Sequence, residues 1–124
     1  MTDVTTTELA TRLGEEGLIV LDVRGPAEFA GTVGAPCDPR RGHVPGARNL
    51  DVRDLFGLAP AEVRELVGAA EGVEVIAYCH TGSRSAVAAE ILRLAGYRAR
   101  NYVGSWHEWS NDPTLPVDLP VDAV

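Results

Sequence analysis

The chain has 124 residues, which is enough for one domain with a sizeable core and too few for two. Its net charge of -7 argues against a surface that binds nucleic acid or an anionic membrane. No apolar run is long enough to span a bilayer, and residues 1–4 lack the basic and apolar regions of a signal peptide. We therefore expect a single globular domain in the cytoplasm, where its two cysteines are free thiols.

Strand-like and helix-like segments are predicted to alternate along the chain. Short apolar segments of strand length lie at Leu18–Leu21, Ala47–Leu50, Val73–Tyr78 and Arg100–Val103. Capping residues and apolar spacing predict helices that begin near Thr5 and at Pro60, and further helices over Pro26–Ala30, Ser85–Ala95 and Ser105–Ser110. Such alternation is typical of a parallel α/β sheet. The tail, rich in Pro and Asp, is predicted to be irregular.

Cys79 lies between the strand predicted to end at Tyr78 and the helix predicted over 85–95. The apolar stripe of that helix consists of Val87, Ala88, Ile91, Leu92 and Ala95, and Gly96 is expected to end it. Backbone N–H groups and the helix dipole at such a position lower a thiol pKa from about 8.5 to roughly 3.5–7.5. The pattern predicts a thiolate nucleophile beside an anion-binding loop; the alternative is a buried structural cysteine.

Four segments, in chain order, resemble the signatures of the rhodanese family of sulfurtransferases. They are Leu21–Arg24 with Glu28-Phe29, Gly42–Ala47 with Asn49-Leu50, Tyr78–Ser85, and Tyr102–Trp109 with Pro116-Val117. The third resembles the family's active-site loop, and the match runs over about residues 4–117. The loop over 31–41 is similar to that of the catalytic half of two-domain sulfurtransferases. The resemblance implies one three-layer rhodanese-like domain over residues 1–124, with a parallel sheet of about five strands flanked by helices.

The same resemblance implies a reaction that passes through a persulfide on Cys79. The thiolate takes a sulfane sulfur from a donor, and cyanide or an acceptor thiol then removes it. By resemblance, the residues that bind the donor are Arg24, His80, Thr81, Gly82, Ser83, Arg84 and Ser85. No cofactor is needed for this chemistry, and no metal is expected because no pair of His or Cys residues has zinc-site spacing along the chain.

The length of the cysteine loop separates two kinds of chemistry. Cysteine-based phosphatases place five residues between the cysteine and the arginine, in a loop sized for a tetrahedral phosphate. Here only four residues, 80–83, separate Cys79 from Arg84. The shorter loop favours sulfur transfer over phosphate hydrolysis.

Several residues near the expected site have a second interpretation. Arg24 either contacts the anionic donor or forms an ion pair with Glu28, and His80 either contacts the donor or faces solvent. Ser83 and Ser85 are candidate hydroxyl donors to the bound sulfur, although Ser85 is equally suited to cap the helix. Structural roles are favoured for Asp22, His43, Trp106 and Trp109. Cys37 is either a resolving thiol for Cys79 or an unpaired surface thiol.

The function predicted is that of a thiosulfate-type sulfurtransferase. Mercaptopyruvate-using members of the family typically carry Cys-Gly-Ser-Gly-Val-Thr in the loop, from which His80 and Arg84 depart, so thiosulfate or a persulfide fits better as donor. The expected partners are this small-molecule donor, a cyanide or thiol acceptor and a sulfur-accepting protein, with neither nucleic acid nor membrane. The alternatives are a sulfur-relay or binding module with little small-molecule turnover, and a redox or phosphatase-like thiol enzyme.

Overall fold

Four parallel strands form the central sheet of the computed structural model, which describes residues 2–120. The strands are β1 (Leu18–Asp22), β2 (Arg48–Asn49), β3 (Glu74–Tyr78) and β4 (Arg98–Asn101), in the order β2-β1-β3-β4. The prediction of about five strands is therefore wrong by one. The fifth place is taken by a single parallel bridge between Val4 and Tyr102, and one bridged residue is too short to count as a strand.

In the described part of the chain, five α-helices and one 3₁₀ turn connect and flank the strands. The helices are α1 (Thr6–Thr11), α2 (Pro26–Ala30), α3 (Pro60–Val67), α4 (Ser83–Leu94) and α5 (Ser105–Asn111), and the 3₁₀ turn is Val52–Leu55. Thr5 caps α1 by accepting a hydrogen bond from the Glu8 N–H group, and Pro60 opens α3, both as predicted. Within residues 2–120 we find no helix that is both long enough and apolar enough to cross a bilayer.

The sheet is covered on both faces, which makes the three layers that were predicted. Successive side chains of a strand point to opposite faces. Accordingly Val75, Ala77 and Cys79 belong to one core together with residues of α3 and α4, while Ile76 and Tyr78 belong to a second core together with residues of α1 and α5. Cys79 thus continues the alternation of β3 into the loop, and its side chain enters the α4 side of the sheet.

The apolar face of α4 differs from the prediction. Val87 is 45% exposed, and the buried residues of the helix are Ser85, Ala88, Ala89 and Leu92. These four are spaced as i, i+3, i+4 and i+7, so the buried stripe starts at a serine and not at an apolar residue. The helix begins two residues earlier than predicted, because Gly82 caps it in a left-handed conformation. Gly96 follows the helix with a positive φ, as expected.

The bounds of the last strand differ from the prediction, whereas the described part of the tail agrees with it. β4 covers Arg98–Asn101 and not Arg100–Val103, because its pairing with β3 begins opposite Glu74. Residues 113–119 form turns and one antiparallel bridge between His43 and Asp118, which agrees with an irregular tail. The remainder of the predicted tail, residues 121–124, lies outside the described residues.

Candidate active site

The loop between β3 and α4 places Cys79 at the carboxyl edge of the sheet. The loop turns sharply at Gly82, whose φ is +97°, a conformation that favours glycine. A side chain there would also bring its Cβ to 2.7 Å from the Val103 carbonyl oxygen. The Asn101 side-chain amide donates to the Gly82 carbonyl at 3.1 Å and fixes the turn against β4. The turn directs the first amides of α4 toward the cysteine.

The Cys79 sulfur is buried and surrounded by hydrogen-bond donors. The residue is 1% exposed. The Gly82 N–H donates to Sγ at 3.1 Å, and the Ser85 hydroxyl donates to it at 3.3 Å. Ser85 therefore acts on the sulfur and does not cap the helix, which resolves the alternative left open by the sequence.

These donors lower the pKa of the Cys79 thiol below its ordinary value. Burial alone acts in the opposite direction and would raise this pKa, because the thiolate loses hydration. The hydrogen bonds from the Ser85 hydroxyl and from the amides of Ser85, Gly82 and Thr81 outweigh burial. The arrangement favours a thiolate, which is the nucleophilic form of cysteine.

Replacing Ser85 with alanine is expected to raise the pKa of Cys79. A hydrogen bond to a charged group contributes about 1.5–3 kcal/mol, which corresponds to roughly one to two pKa units. The pH dependence of Cys79 alkylation, followed by mass spectrometry so that Cys37 is counted separately, should move to higher pH. At a pH below both values the rate should fall, and above both it should recover.

The control for this variant is Ser110→Ala, which removes another buried serine hydroxyl. That hydroxyl donates to the His107 carbonyl at 3.4 Å. The Cys79 titration should be the same in this variant as in the wild type. An unchanged titration in Ser85→Ala as well would mean that the backbone amides alone hold the thiolate.

Arg84 lies in an ion pair with Glu28 from α2. Its two terminal nitrogens donate to the two carboxylate oxygens at 3.0 and 3.3 Å, and its side chain is 39% exposed. Glu28 is held in turn by the Gly25 N–H at 3.1 Å. The carboxylate raises the pKa of Arg84, and the negative charge of Cys79 adds to this effect. The positive charge of the guanidinium therefore interacts with the Cys79 thiolate, while its hydrogen bonds are made to Glu28.

Arg24 forms its ion pair with Asp22, and not with Glu28 as the sequence suggested. Its Nε and one terminal nitrogen donate to the Asp22 carboxylate, the latter at 2.6 Å, and the same nitrogen donates to the Gly42 carbonyl. The guanidinium also lies 5.0 Å from the centre of the Trp106 ring. With its side chain 3% exposed, Arg24 serves to hold the sheet edge together. Donor binding by Arg24 stays a prediction.

The remaining loop residues are placed less closely around the sulfur. Thr81 and Ser83 are exposed, and Thr81 contributes through its backbone amide. The His80 ring turns to Asp38, with 2.8 Å between Nε2 and Oδ2, and so it does not simply face solvent. The loop therefore brings Cys79, Gly82 and Ser85 together directly, whereas the side chains of its other predicted donor-binding residues are exposed or paired with carboxylates.

The four residues for which structural roles were favoured have such roles. The Asp22 carboxylate accepts hydrogen bonds from Arg24 and from the Tyr78 hydroxyl at 2.9 Å. His43 stacks on Phe29, with 3.6 Å between the ring centres. Trp106 and Trp109 are buried in the core of the α5 face.

Ser105 is a site residue that sequence reasoning missed. Its hydroxyl accepts the Cys79 N–H at 3.0 Å and donates to the Tyr102 carbonyl at 2.8 Å. Its φ of +56° is uncommon for a residue other than glycine, and these two hydrogen bonds hold it there. The sequence showed only that it lies in the Tyr102–Trp109 segment, at the start of a predicted helix.

Comparison with known proteins identifies the family. Residues 5–112 match the rhodanese-like domain, which is most of the chain. The chain belongs to this family. The chain is 38% identical, in an alignment of 122 residues, to a thiosulfate sulfurtransferase of Pseudomonas aeruginosa and 37% identical, in an alignment of 119 residues, to a "Probable 3-mercaptopyruvate sulfurtransferase" of the same organism.

The lengths of these relatives differ from that of the rhodanese-like domain. The two alignments cover 90% and 88% of this chain but only 44% and 42% of the Pseudomonas proteins, so the chain spans about half their length. Among solved structures, it is similar to a human single-domain sulfurtransferase, with a TM-score of 0.66 and 30% identity. That match covers 88% of this chain and 95% of the human one. The fold and the family predicted from the sequence are confirmed.

Proposed function

We propose that this rhodanese-like domain is a sulfurtransferase that moves a sulfane sulfur through a persulfide on Cys79. One observation carries the proposal: the buried Cys79 sulfur accepts hydrogen bonds from the Gly82 amide and the Ser85 hydroxyl, and these bonds lower its pKa. A thiolate held in this way is the nucleophile that the reaction requires. The names of the relatives support the same class of chemistry.

In the proposed reaction with thiosulfate, the Cys79 thiolate attacks the outer sulfur atom. A sulfur–sulfur bond forms to Cys79, the sulfur–sulfur bond of thiosulfate breaks, and sulfite leaves with the electron pair. Cyanide or an acceptor thiolate then attacks the terminal sulfur of the persulfide, and the Cys79 thiolate is released. The amides that face the thiolate also face the persulfide anion and stabilise it.

The donor is proposed to be thiosulfate or a small-molecule or protein persulfide, and the acceptor cyanide or a thiol. The residues proposed to bind the donor are those of the loop, His80 to Ser85, together with Arg24. A lone domain suffices for this role in our proposal, because the human relative of similar length is described as a single-domain sulfurtransferase. A sulfur-accepting protein as partner and a cytoplasmic location belong to the same proposal.

The test is intact-mass spectrometry after incubation with thiosulfate, mercaptopyruvate or glutathione persulfide, followed by turnover with cyanide and thiols. We expect one added sulfur atom on Cys79, fastest from thiosulfate or the persulfide, and negligible hydrolysis of aryl phosphates in the same preparation. Loading without turnover would favour a sulfur-relay module. Phosphatase efficiency that equals or exceeds sulfur transfer would overturn the proposal.

Changing Arg84 and Glu28 should shift thiosulfate use in opposite directions. Arg84 provides positive charge beside the thiolate, and loss of one charge-assisted hydrogen bond costs about 1.5–3 kcal/mol. Arg84→Ala should therefore lose roughly ten- to a hundredfold in kcat/KM for thiosulfate. Glu28→Gln should lower KM, because the carboxylate that competes with the dianion for Arg84 is removed.

Two further variants make this comparison specific to the guanidinium. Arg84→Lys should recover only part of the loss, because an ammonium cannot replace the planar fork of arginine. The double variant Glu28→Gln with Arg84→Ala should behave like Arg84→Ala alone. If Arg84→Ala leaves both the thiosulfate kinetics and the Cys79 titration unchanged, the amides and the helix dipole hold the anion without it.

A further inference from the structure

Four side chains of the types that ligate metal ions lie close together beside the active-site loop. They are Cys37, Asp38, His80 and His107, and one ligand atom from each lies within 4.8 Å of the others. The Cys37 sulfur lies 3.9 Å from His80 Nε2 and 3.8 Å from His107 Nδ1. The two Asp38 carboxylate oxygens contact different imidazoles: Oδ2 lies 2.8 Å from His80 Nε2, and Oδ1 lies 2.8 Å from His107 Nδ1. These residues come from three separate segments, so their spacing along the chain gave no sign of a site.

Contacts behind the cluster hold its members in place. The His107 N–H donates to the His80 carbonyl at 3.0 Å, so the loop and α5 carry their two histidines as one unit. The Asp38 side chain is only 2% exposed and lies between the two rings. The position of the cluster is therefore built into the fold.

The loop that carries Cys37 and Asp38 is anchored to α5 a short distance along the chain. The Arg40 guanidinium donates four hydrogen bonds to backbone carbonyls, those of Trp109, Ser110, Asp112 and Leu115, at 2.7–3.1 Å. The Arg40 carbonyl in turn accepts the Trp106 indole N–H at 3.0 Å. This anchoring fixes the cysteine and the aspartate against the histidine of α5.

We propose that this cluster binds one divalent cation of the kind that prefers nitrogen and sulfur ligands, such as Zn²⁺. Around a tetrahedral zinc ion with bonds of about 2.0–2.3 Å, neighbouring donor atoms are about 3.3–3.6 Å apart. The sulfur–nitrogen distances of 3.8 and 3.9 Å are close to this spacing. The carboxylate and the imidazoles lie closer, at hydrogen-bond distance, and move apart by about half an ångström to admit the ion.

The charges and protons of this binding step balance. The Cys37 thiol loses its proton, and each imidazole carries its proton on the ring nitrogen that does not bind the ion. One thiolate, one carboxylate and two neutral imidazoles then neutralise the dication. Binding should release at least one proton per ion. Because His80 follows Cys79 directly, the ion would also fix the segment next to the nucleophile.

The test is calorimetric titration of Zn²⁺ alone into protein that has been stripped with a chelator. The titration is made both with the wild-type protein and with Cys79→Ala, in which the active-site thiol cannot take the ion. We expect one ion per chain, an enthalpy that depends on the buffer because a proton is released, and a higher unfolding temperature. Titration with Co²⁺ should give a thiolate charge-transfer absorption band.

Cys37→Ala and His107→Ala, each in the Cys79→Ala background, should weaken Zn²⁺ binding by about a hundredfold or more and abolish the Co²⁺ band in the Cys37 variant. Both residues are exposed, so the variants are expected to fold, which unfolding curves without metal will check. Absence of stoichiometric binding, or binding unaffected by both substitutions, would overturn the proposal. So would binding that is lost in Cys79→Ala while the wild-type protein binds one ion, since the catalytic thiol would then be the ligand.

Discussion

Replacing Cys79 with serine is expected to abolish sulfur transfer. The hydroxyl keeps the approximate shape of the side chain, but it does not ionise at neutral pH and does not form a persulfide. The donors from Gly82 and Ser85 would remain in place with no thiolate to stabilise. Intact mass after incubation with thiosulfate should show no added sulfur, and cyanide-dependent turnover should fall to the level of the uncatalysed reaction.

The matched control for this variant is Cys37→Ala. Cys37 is the other free cysteine and is exposed, whereas Cys79 is buried among donors. Cys37→Ala should load one sulfur atom and turn over at a rate similar to that of the wild type when no metal is added. If Cys79→Ser still loads sulfur and turns over, the nucleophile is assigned to the wrong residue.

The parts of the site that are contiguous in sequence could be predicted from it. Tyr78, Cys79 and Gly82 lie close together in the sequence at a strand end. The apolar segment before them and the helix signal after them predicted a turn of the backbone there. Ser85 could be identified as a candidate because it stands at the predicted start of the same helix. Local geometry therefore predicted the nucleophilic cysteine beside backbone N–H donors, and the resemblance to the rhodanese family added the individual loop residues, Ser85 among them.

Pairings between distant segments could not be predicted in the same way. The partner of Arg24 was sought four residues ahead, as if both residues lay on one helix. The chain bends at Arg24 after the end of β1, and the Asp22 carboxylate accepts both the Arg24 backbone N–H and its guanidinium, so Asp22 is the neighbour. Glu28 was left to pair with Arg84, which is 56 residues away. Such contacts depend on how the loops are arranged along the edge of the sheet. A residue pattern within one segment contains no information about that arrangement.

The same limit applies to the cluster around Asp38. In the sequence, His80 belongs to the active-site loop, His107 to the Tyr102–Trp109 segment and Cys37 to the loop over 31–41. Only the folded chain shows that the loop over 31–42 lies against both α5 and the active-site loop, which brings four ligand atoms together. The expectation that a metal is absent was based on spacing along the chain, and the proposed site revises it.

Asp22→Asn is expected to destabilise the fold by about 3–5 kcal/mol, because it leaves the Arg24 guanidinium buried without its counter-charge. Asp22 is 0% exposed and Arg24 is 2% exposed, so water cannot replace the lost carboxylate. Asp22 also accepts the hydroxyl of the buried Tyr78, which joins β1 to β3 at the site edge. The midpoint of urea unfolding should fall, with an unchanged dependence on denaturant if the unfolding remains two-state.

The chain offers a control with nearly the same geometry in a different environment. Asp51 and Arg53 are also two residues apart, and the arginine Nε and a terminal nitrogen donate to the carboxylate at 3.1 and 2.5 Å. The Arg53 side chain is 74% exposed, so its charge stays hydrated when the partner is neutralised. Asp51→Asn keeps an oxygen to accept the Arg53 N–H and should cost about 1 kcal/mol or less. Equal losses in the two variants would show that burial does not decide the strength of the Asp22 pair, and that the sheet edge beside Cys79 is held by other contacts.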